Sequence, residues 1–279
     1  MHFGATLRLL RLESGLGLRD LARRLEVSSA YLSRVENGLD AAPTPARLTA
    51  MARELGVPAP LLMDLAHRVS PLVVDYVAQV PEAGSLFLDI AHRRLDACQL
   101  AELRALLDER FPVAGTAAAT ATATAGLVHL LHPDRIVLRL TCTGMEDVLD
   151  VAAGRLADAC PRTDAGAVAA ALSAREAGVS SAIGSGVAVP CAYLAGAEPA
   201  AAVVTLAPPL AYDTPDGAPL RFVIVLVGPR DAPDRRVILA QIALLAARGL
   251  ADKLAEADSP GEALRRILLP GFTDSASGR

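Results

Sequence analysis

The sequence predicts a multidomain protein: an all-α first part with a helical extension, then an α/β part in which helices flank a sheet. Three observations predict it. Up to Phe111 the apolar residues recur at helical spacing between brief punctuation. From Leu127 onward short β-branched runs alternate with helical patterns. Between them lies VAGTAAATATATAG, which has nothing that can anchor a core. A chain of 279 residues, 52% hydrophobic, is long enough to fill two globular units.

The elements follow in order. Leu7, Leu10 and Leu12 form an apolar face that stops at Ser14-Gly15. LRDLARRLEV sets Leu18, Leu21, Ala22 and Leu25 at i, i+3, i+4, i+7. SSAYLSRVENG opens on serines suited to an N-cap and closes on Asn37-Gly38, suited to a left-handed C-cap. PTPARLTAMARELGVP gives a fourth helix, with Pro45 in its first turn and Gly56 just past its end. Two or three more helices are expected in LLMDLAHRVSPLVVDYVAQV and SLFLDIAHRRLDACQLAELRALLDERF, whose apolar stripes oppose charged faces as in packed bundles. The expected boundaries are 1–60 for the first domain, 61–112 for the extension, 113–126 for an Ala/Thr-rich linker and 127–279 for the α/β domain. In that domain IVLRL, GVAVPC, AAVVTLA and LRFVIVLVG read as strands, and PDGAP as a turn. GMEDVLDVAAGRLADAC, AGAVAAALSAREAG, DRRVILAQIALLAARGL and PGEALRRIL read as helices. The linker leaves the orientation of the two domains open.

Composition removes several classes. No run of about 18 uncharged apolar residues suggests a membrane span, and the opening MHFGATLRLLRLESG lacks the pattern of a signal peptide, so a cytoplasmic protein without membrane contact is expected. Cys98, Cys142, Cys160 and Cys191 are widely spaced with no CxxC, so neither a zinc site nor a disulfide framework is indicated, and no metal or cofactor is expected. The formal charge of −4 argues against an extended nucleic-acid coat. Residues 1–60 nevertheless hold eight arginines against six acids, leaving room for a local contact surface.

Two helices joined by the tight turn Glu26-Val27-Ser28, with Ala22 at their close contact, have the spacing of a helix-turn-helix. The segment LRDLARRLEVSSAYLSRVENG, then Pro and a helix ending in ELGVP, resembles the Cro/repressor-type (Xre-family) helix-turn-helix from about Ala5 to Pro60. That resemblance implies a third helix in the major groove of operator DNA. It implies phosphate contacts from Ser28 and Asn37, and base contacts from Ser29, Ala30, Tyr31 and Arg34. Arg34 suits sequence readout because a guanidinium can bond a guanine edge bidentately; its alternative is a solvated partner of Glu36 or Asp20. Where the family commonly opens its second helix on Thr/Ser-Gln, this chain has Gly17-Leu18, which removes a cap and a phosphate contact. Residues 61–111 resemble the helical extensions of such regulators, which implies a homodimer interface serving two half-sites.

In the second domain ALSAREAGVSSAIGSGVAVPCAY orders helix, Arg-Glu, Gly-rich turn, strand and an exposed Pro-Cys. Residues 127–269 resemble the enzyme IIA domains of the sugar phosphotransferase system, of the fructose, mannitol and nitrogen-regulatory type. Those domains accept a phosphoryl group on a histidine directly after the proline of a Gly-x-Gly-[V/I]-A-[V/I]-P motif; here that place is Cys191. A second, supporting histidine is replaced at the nearest position by Arg235.

Three readings of Cys191 stay open: a degenerate receiver, a reactive thiolate with a pKa lowered by Arg175 or Arg235, and an acceptor of phosphoryl on sulfur. In each, Arg175 and Arg235 suit an anion; the alternative for Arg175 is a structural pair with Glu176 or Asp164. The resulting expectation is a bacterial transcriptional regulator, not an enzyme. Its partners are operator DNA, a second copy, and an anionic small-molecule effector or a phosphotransferase-system protein. The rival readings are a phosphotransfer protein acting through Cys191 and a non-catalytic adaptor of the phosphotransferase system.

Overall fold

The computed structural model of the chain describes residues 3–67, 71–95, 97–111, 126–127, 129–157, 160, 164–230, 232 and 234–268. Five helices open it: α1 (Phe3–Glu13), α2 (Leu18–Arg24), α3 (Ser29–Glu36), α4 (Pro45–Leu55) and α5 (Ala59–Leu65). Their ends lie where the caps require. Ser28 accepts from the Tyr31 N–H at 3.1 Å, and Pro45 begins α4. Gly56 ends that helix at φ 66°, a left-handed conformation that a side chain strains. Gly17 begins α2 with no side-chain cap, as its residue type dictates. Leu7, Leu10, Leu21, Leu32, Leu48, Met51, Leu55, Leu62 and Leu65 close the core of this bundle.

The extension differs from the expectation. The stretch read as two or three helices contains α5, α6 (Pro71–Gln79), α7 (Pro81–Arg93) and α8 (Ala97–Arg110). His67 at φ 51° follows α5 and Arg94 at φ 50° follows α7, left-handed conformations that end a right-handed helix, and Pro81 opens α7 in the first turn, where its missing N–H costs no hydrogen bond. α5 joins the core, but among the described residues α6 to α8 show no closed bundle. No residue of α7 is buried, and Leu86, Phe87, Leu88, Leu106, Leu107 and Phe111 are exposed, Leu88 by 61% and Phe111 by 71%. The expected linker lies outside the described residues except for Gly126.

The α/β part is a mixed sheet covered by helices, as the sequence predicts. It comprises β1 (Ile136–Leu140), α9 (Met145–Leu156), α10 (Ala165–Gly178), β2 (Ala182–Gly184), β3 (Val187–Ala188), β4 (Cys191–Tyr193), β5 (Ala200–Leu210) and β6 (Leu220–Gly228). Helices α11 (Arg235–Ala247), α12 (Leu250–Ala255) and α13 (Pro260–Leu268) follow. The strand order is β1-β5-β6-β3-β2, with β4 beside β6 beyond β3. β1 is parallel to β5, β5 antiparallel to β6, and β3 and β4 are both parallel to β6. The expected single strand GVAVPC is therefore two pieces. Pro190 has no N–H for the ladder, though its carbonyl still accepts from Leu226 N at 2.9 Å.

Both faces of the central strands are buried, and alternation sorts them. Val223, Val225 and Val227 face α9 and α10, while Phe222, Ile224 and Leu226 share the other face with Val189 and Cys191. That second face is covered by α11 to α13 and by the N-terminal helices. α1 and α5 pack on α11, and α1 also meets β2, so the N-terminal bundle and the sheet share one continuous apolar core.

Candidate functional site

On the N-terminal bundle, α3 leaves Ser28, Ala30 and Arg34 exposed and Ser29 and Tyr31 partly so; Asn37 at its end is exposed and borders a cleft with Ser180 and Asp213 of the α/β part. The Arg47 guanidinium lies over the Tyr31 ring, 5.1 Å from its centroid. Arg34 donates to Asp40 from Nε at 2.9 Å and Nη2 at 2.7 Å, so its acidic partner is neither Glu36 nor Asp20. Asp20 is bonded to Arg23 at 3.0 Å. Glu36 turns inward and takes a two-pronged pair from Arg11, at 2.6 and 2.8 Å, with both side chains buried. Arg11 also donates to the Leu16 carbonyl at 2.9 Å, so α1, the following turn and α3 are held by one guanidinium.

Helix α1 ends on Glu13, and this carboxylate enters the α/β part beside Cys191. Its side chain is 1% exposed. It is ion-paired with Arg175, accepts from the Tyr193 hydroxyl at 2.7 Å, and lies 3.2 Å from Arg235 Nε, an ion pair at an angle that makes no hydrogen bond. Among the described residues it is the one carboxylate within ion-pair distance of either arginine.

The cations come from separate elements. Arg175 is near the end of α10, Arg235 opens α11, and Arg230 follows β6. Arg175, Arg235 and Arg230 stand 4.6, 4.7 and 5.5 Å from the Tyr193 ring centroid. Arg235 also donates to the carbonyls of Ala192 and Leu226, each at 3.3 Å, which fixes it although it is a buried cation.

Cys191 begins β4 and is 3% exposed, not exposed as its place behind a proline suggested. Its Sγ donates to the Val189 carbonyl at 3.4 Å. Burial pushes this thiol up to about 12, with the Glu13 charge adding to it, and the opposing pull of Arg235 and Arg175 is smaller. The expectation of a pKa lowered by those arginines is corrected accordingly: desolvation wins. The Tyr193 hydroxyl is likewise pushed up to about 12, by burial and then by Glu13.

Two family models match the chain. A helix-turn-helix domain model covers residues 2–65, and the model for the phosphoenolpyruvate-dependent sugar phosphotransferase system EIIA 2 covers residues 129–268, half of the sequence. A nitrogen regulatory protein from Pseudomonas aeruginosa is 33% identical over 146 residues, spanning 51% of this chain and 94% of that protein. The chain belongs to the EIIA 2 family. It carries an N-terminal helix-turn-helix domain besides. The crystal structure of the nitrogen regulatory protein IIA-Ntr from Neisseria meningitidis matches with a TM-score of 0.45 at 26% identity, covering 51% of this chain and 98% of that one.

Within the EIIA 2 domain the sequence-selected residues divide. Cys191, Arg175 and Arg235 come together around Tyr193, whereas Glu176 does not join them. Glu176 accepts from the Tyr212 hydroxyl at 2.6 Å and from Ser181 N at 2.9 Å, holding the end of α10 to the chain entering β2. Arg175 pairs with neither Glu176 nor Asp164; Asp164 instead caps α10 by accepting from Ala167 N at 2.7 Å. Gly184, Ser185 and Gly186 form the turn between β2 and β3 with φ of 88°, 58° and 71°. Asp216 holds that turn, accepting from Ser185 N at 2.5 Å and from Ala218 N at 3.3 Å.

Sequence reasoning missed Glu13, Tyr193 and Arg230. Tyr193 was within reach, because two residues after Cys191 on one strand is the same face. Glu13 gives no local signal, being 162 positions from Arg175.

Proposed function

We propose that the protein is a sequence-specific DNA-binding transcriptional regulator of the Xre type and not an enzyme. It takes its input through an EIIA 2 domain in which Cys191 stands in place of the phosphoryl-accepting histidine. The observation that carries this reading is the open face of α3: docking against the EIIA 2 domain uses α1 and α5 and leaves Ser28, Ala30 and Arg34 exposed, while Asn37, also exposed, borders a cleft with Ser180 and Asp213 of that domain. Arg34 is an exposed guanidinium that must exchange Asp40 for a base edge, an exchange in which a surface ion pair is a weak competitor. Ser28 and Asn37, at the two ends of α3, suit phosphate contacts that set the register of that helix. The name of the Pseudomonas aeruginosa relative supports a regulatory role for the second half.

The regulator works as a homodimer. The apolar residues left exposed on α7 and α8 support this, since a two-fold pair of half-sites requires a second copy and that surface needs a cover. Phosphotransfer through Cys191 is disfavoured by its burial, because the thiolate and not the thiol is the nucleophile.

The test is selection of bound sequences from a random DNA pool with the full chain, then titration of the selected site at several salt concentrations. A single enriched two-fold motif whose affinity falls steeply with salt is expected. Arg34→Ala should relax preference at one position of each half-site, and Ser28→Ala should weaken all sequences alike. No enrichment over the pool would refute the regulator and leave the adaptor reading standing.

A further inference from the structure

We propose that Glu13 is a tethered occupant of an anion site in the EIIA 2 domain. The site would take a free phosphate dianion, as inorganic phosphate or the phosphate group of a small metabolite, in exchange for the Glu13 carboxylate, releasing the helix-turn-helix domain from its docked position. The inference deepens the regulator reading and rests on it for the consequence at DNA; the exchange itself does not depend on that reading.

Among the described residues Arg175 and Arg235 face one carboxylate, and Arg230 adds a third guanidinium on the Tyr193 ring, so two paired cations meet a single negative charge. Tyr193 adds a hydroxyl donor to the same point. Two guanidinium groups and a hydroxyl converging on one oxyanion match a tetrahedral dianion better than a carboxylate, because a phosphate offers more acceptor oxygens and more charge to the same donors. Arg235 is prepared for this. It is 7% exposed, held by two backbone carbonyls at 3.3 Å, and needs no rearrangement to meet a new anion.

Glu13 and Arg11 sit two residues apart on α1, Glu13 bonded to the EIIA 2 domain and Arg11 to Glu36 on the recognition helix α3. One rigid helix therefore carries both attachments. A dianion that displaces Glu13 removes the buried ion pairs of the docking contact and leaves the apolar packing of α1 and α5 on α11, with Arg230 and Arg236 lying near Gly15 and Gly56. Because α3 is already open to solvent when docked, release changes the orientation of the DNA-reading domain and not access to it. In a dimer, orientation sets half-site spacing. The free energy available is the difference in affinity of the dianion for the open and docked arrangements, so a tethered competitor lowers apparent affinity by the fraction of molecules that are open.

The experiment is titration of inorganic phosphate into the full chain by calorimetry, with chloride at equal ionic strength as the control. The same titration is run on Glu13→Gln and on Tyr193→Phe, with small-angle scattering of the wild type along the titration. Glu13→Gln removes the competing charge and should bind phosphate at least tenfold more tightly than the wild type. Tyr193→Phe removes a hydroxyl donor that Glu13 and the incoming phosphate share, so it should change apparent affinity by less than Glu13→Gln. Should Glu13→Gln fail to fold, the wild-type scattering carries the test, and a radius of gyration unchanged at saturating phosphate would overturn the proposal. Scattering should show a larger radius of gyration with phosphate than with chloride. Inorganic phosphate has no activated phosphoryl group, so its binding reads a free dianion and not transfer to sulfur.

Equal phosphate affinity in the wild type and a folded Glu13→Gln would overturn the proposal. So would a phosphoryl group from acetyl phosphate appearing on Cys191 without saturable phosphate binding. If the chain selects no DNA sequence, the regulator reading fails while the phosphate titration still decides this one; if it selects DNA and the titration is flat, this inference fails alone.

Discussion

At Cys191 desolvation and charge oppose one another, and their balance predicts a pH dependence. An unfolded-chain thiol ionises near about 8.5, whereas burial pushes the folded one up to about 12. Between those values the unfolded chain has lost a proton that the folded chain keeps. Stability is therefore fully present below the lower value and declines as pH rises across the window. Tyr193, also pushed up to about 12, adds the same sign above about 10. Urea unfolding at pH 8, 9 and 10 should show the wild type losing more stability than Cys191→Ser, which lacks this proton. Parallel losses in the two proteins would mean that the sulfur is solvated in the fold. The residue type at position 191 was legible in the sequence, and so were its neighbours Arg175 and Arg235. Its burial was not, because the cover comes from α1, α11 and Glu13, far away along the chain.

At the scale of elements, α1 is held to α3 by a buried ion pair that sequence spacing does not suggest. Arg11 and Glu36 are 8% and 5% exposed, so removing one partner strands a charge away from water. Arg11→Met is expected to destabilise the helix-turn-helix domain by about 3–5 kcal/mol in thermal or denaturant unfolding, and Arg11→Met with Glu36→Leu to recover most of that. A surface-like effect below about 1 kcal/mol would place the pair in water. Helices α7 and α8 present the reverse case. Their amphipathic pattern was readable, but pattern alone cannot say whether the apolar side meets the same chain or another copy. Leu88→Glu with Leu107→Glu should shift sedimentation of the full chain from dimer to monomer without loss of helix content, because both side chains lie on exposed surface within one chain. A monomeric wild type would remove the proposed homodimer, and a dimer unchanged by the two substitutions would move its interface elsewhere.

For the whole molecule, the two domains share a core, so they are not beads on a string. α5 and α1 against α11 provide the apolar part of the contact, and among the described residues Glu13 with its three partners provides its buried ion pairs. Glu13→Ala should accordingly raise protease sensitivity between the two domains, while leaving the helix-turn-helix core of Leu7, Leu32 and Leu48 intact by circular dichroism. If cleavage is no faster than in the wild type, the apolar packing of α1 and α5 is enough to hold the domains together. Among the described residues no helix is long and apolar enough to cross a membrane.

What the sequence determined by itself is everything governed by short range. The period of 3.6 in LRDLARRLEV, the caps at Ser28 and Gly56, the ends of α10 and β6, and the motif that ends at Pro190-Cys191 depend on residues a few positions apart, so one chain without relatives displays them. What only the tertiary structure decided is how separate elements satisfy one another's charge. Arg34 chose Asp40, Glu36 chose Arg11, and Arg175 chose Glu13, in each case overruling the partner that was nearest in sequence or suggested by the motif. The reason is physical. A hydrogen bond or ion pair is decided by a few ångströms of approach and by how much water is excluded, and neither quantity is written in the spacing of residues along the chain.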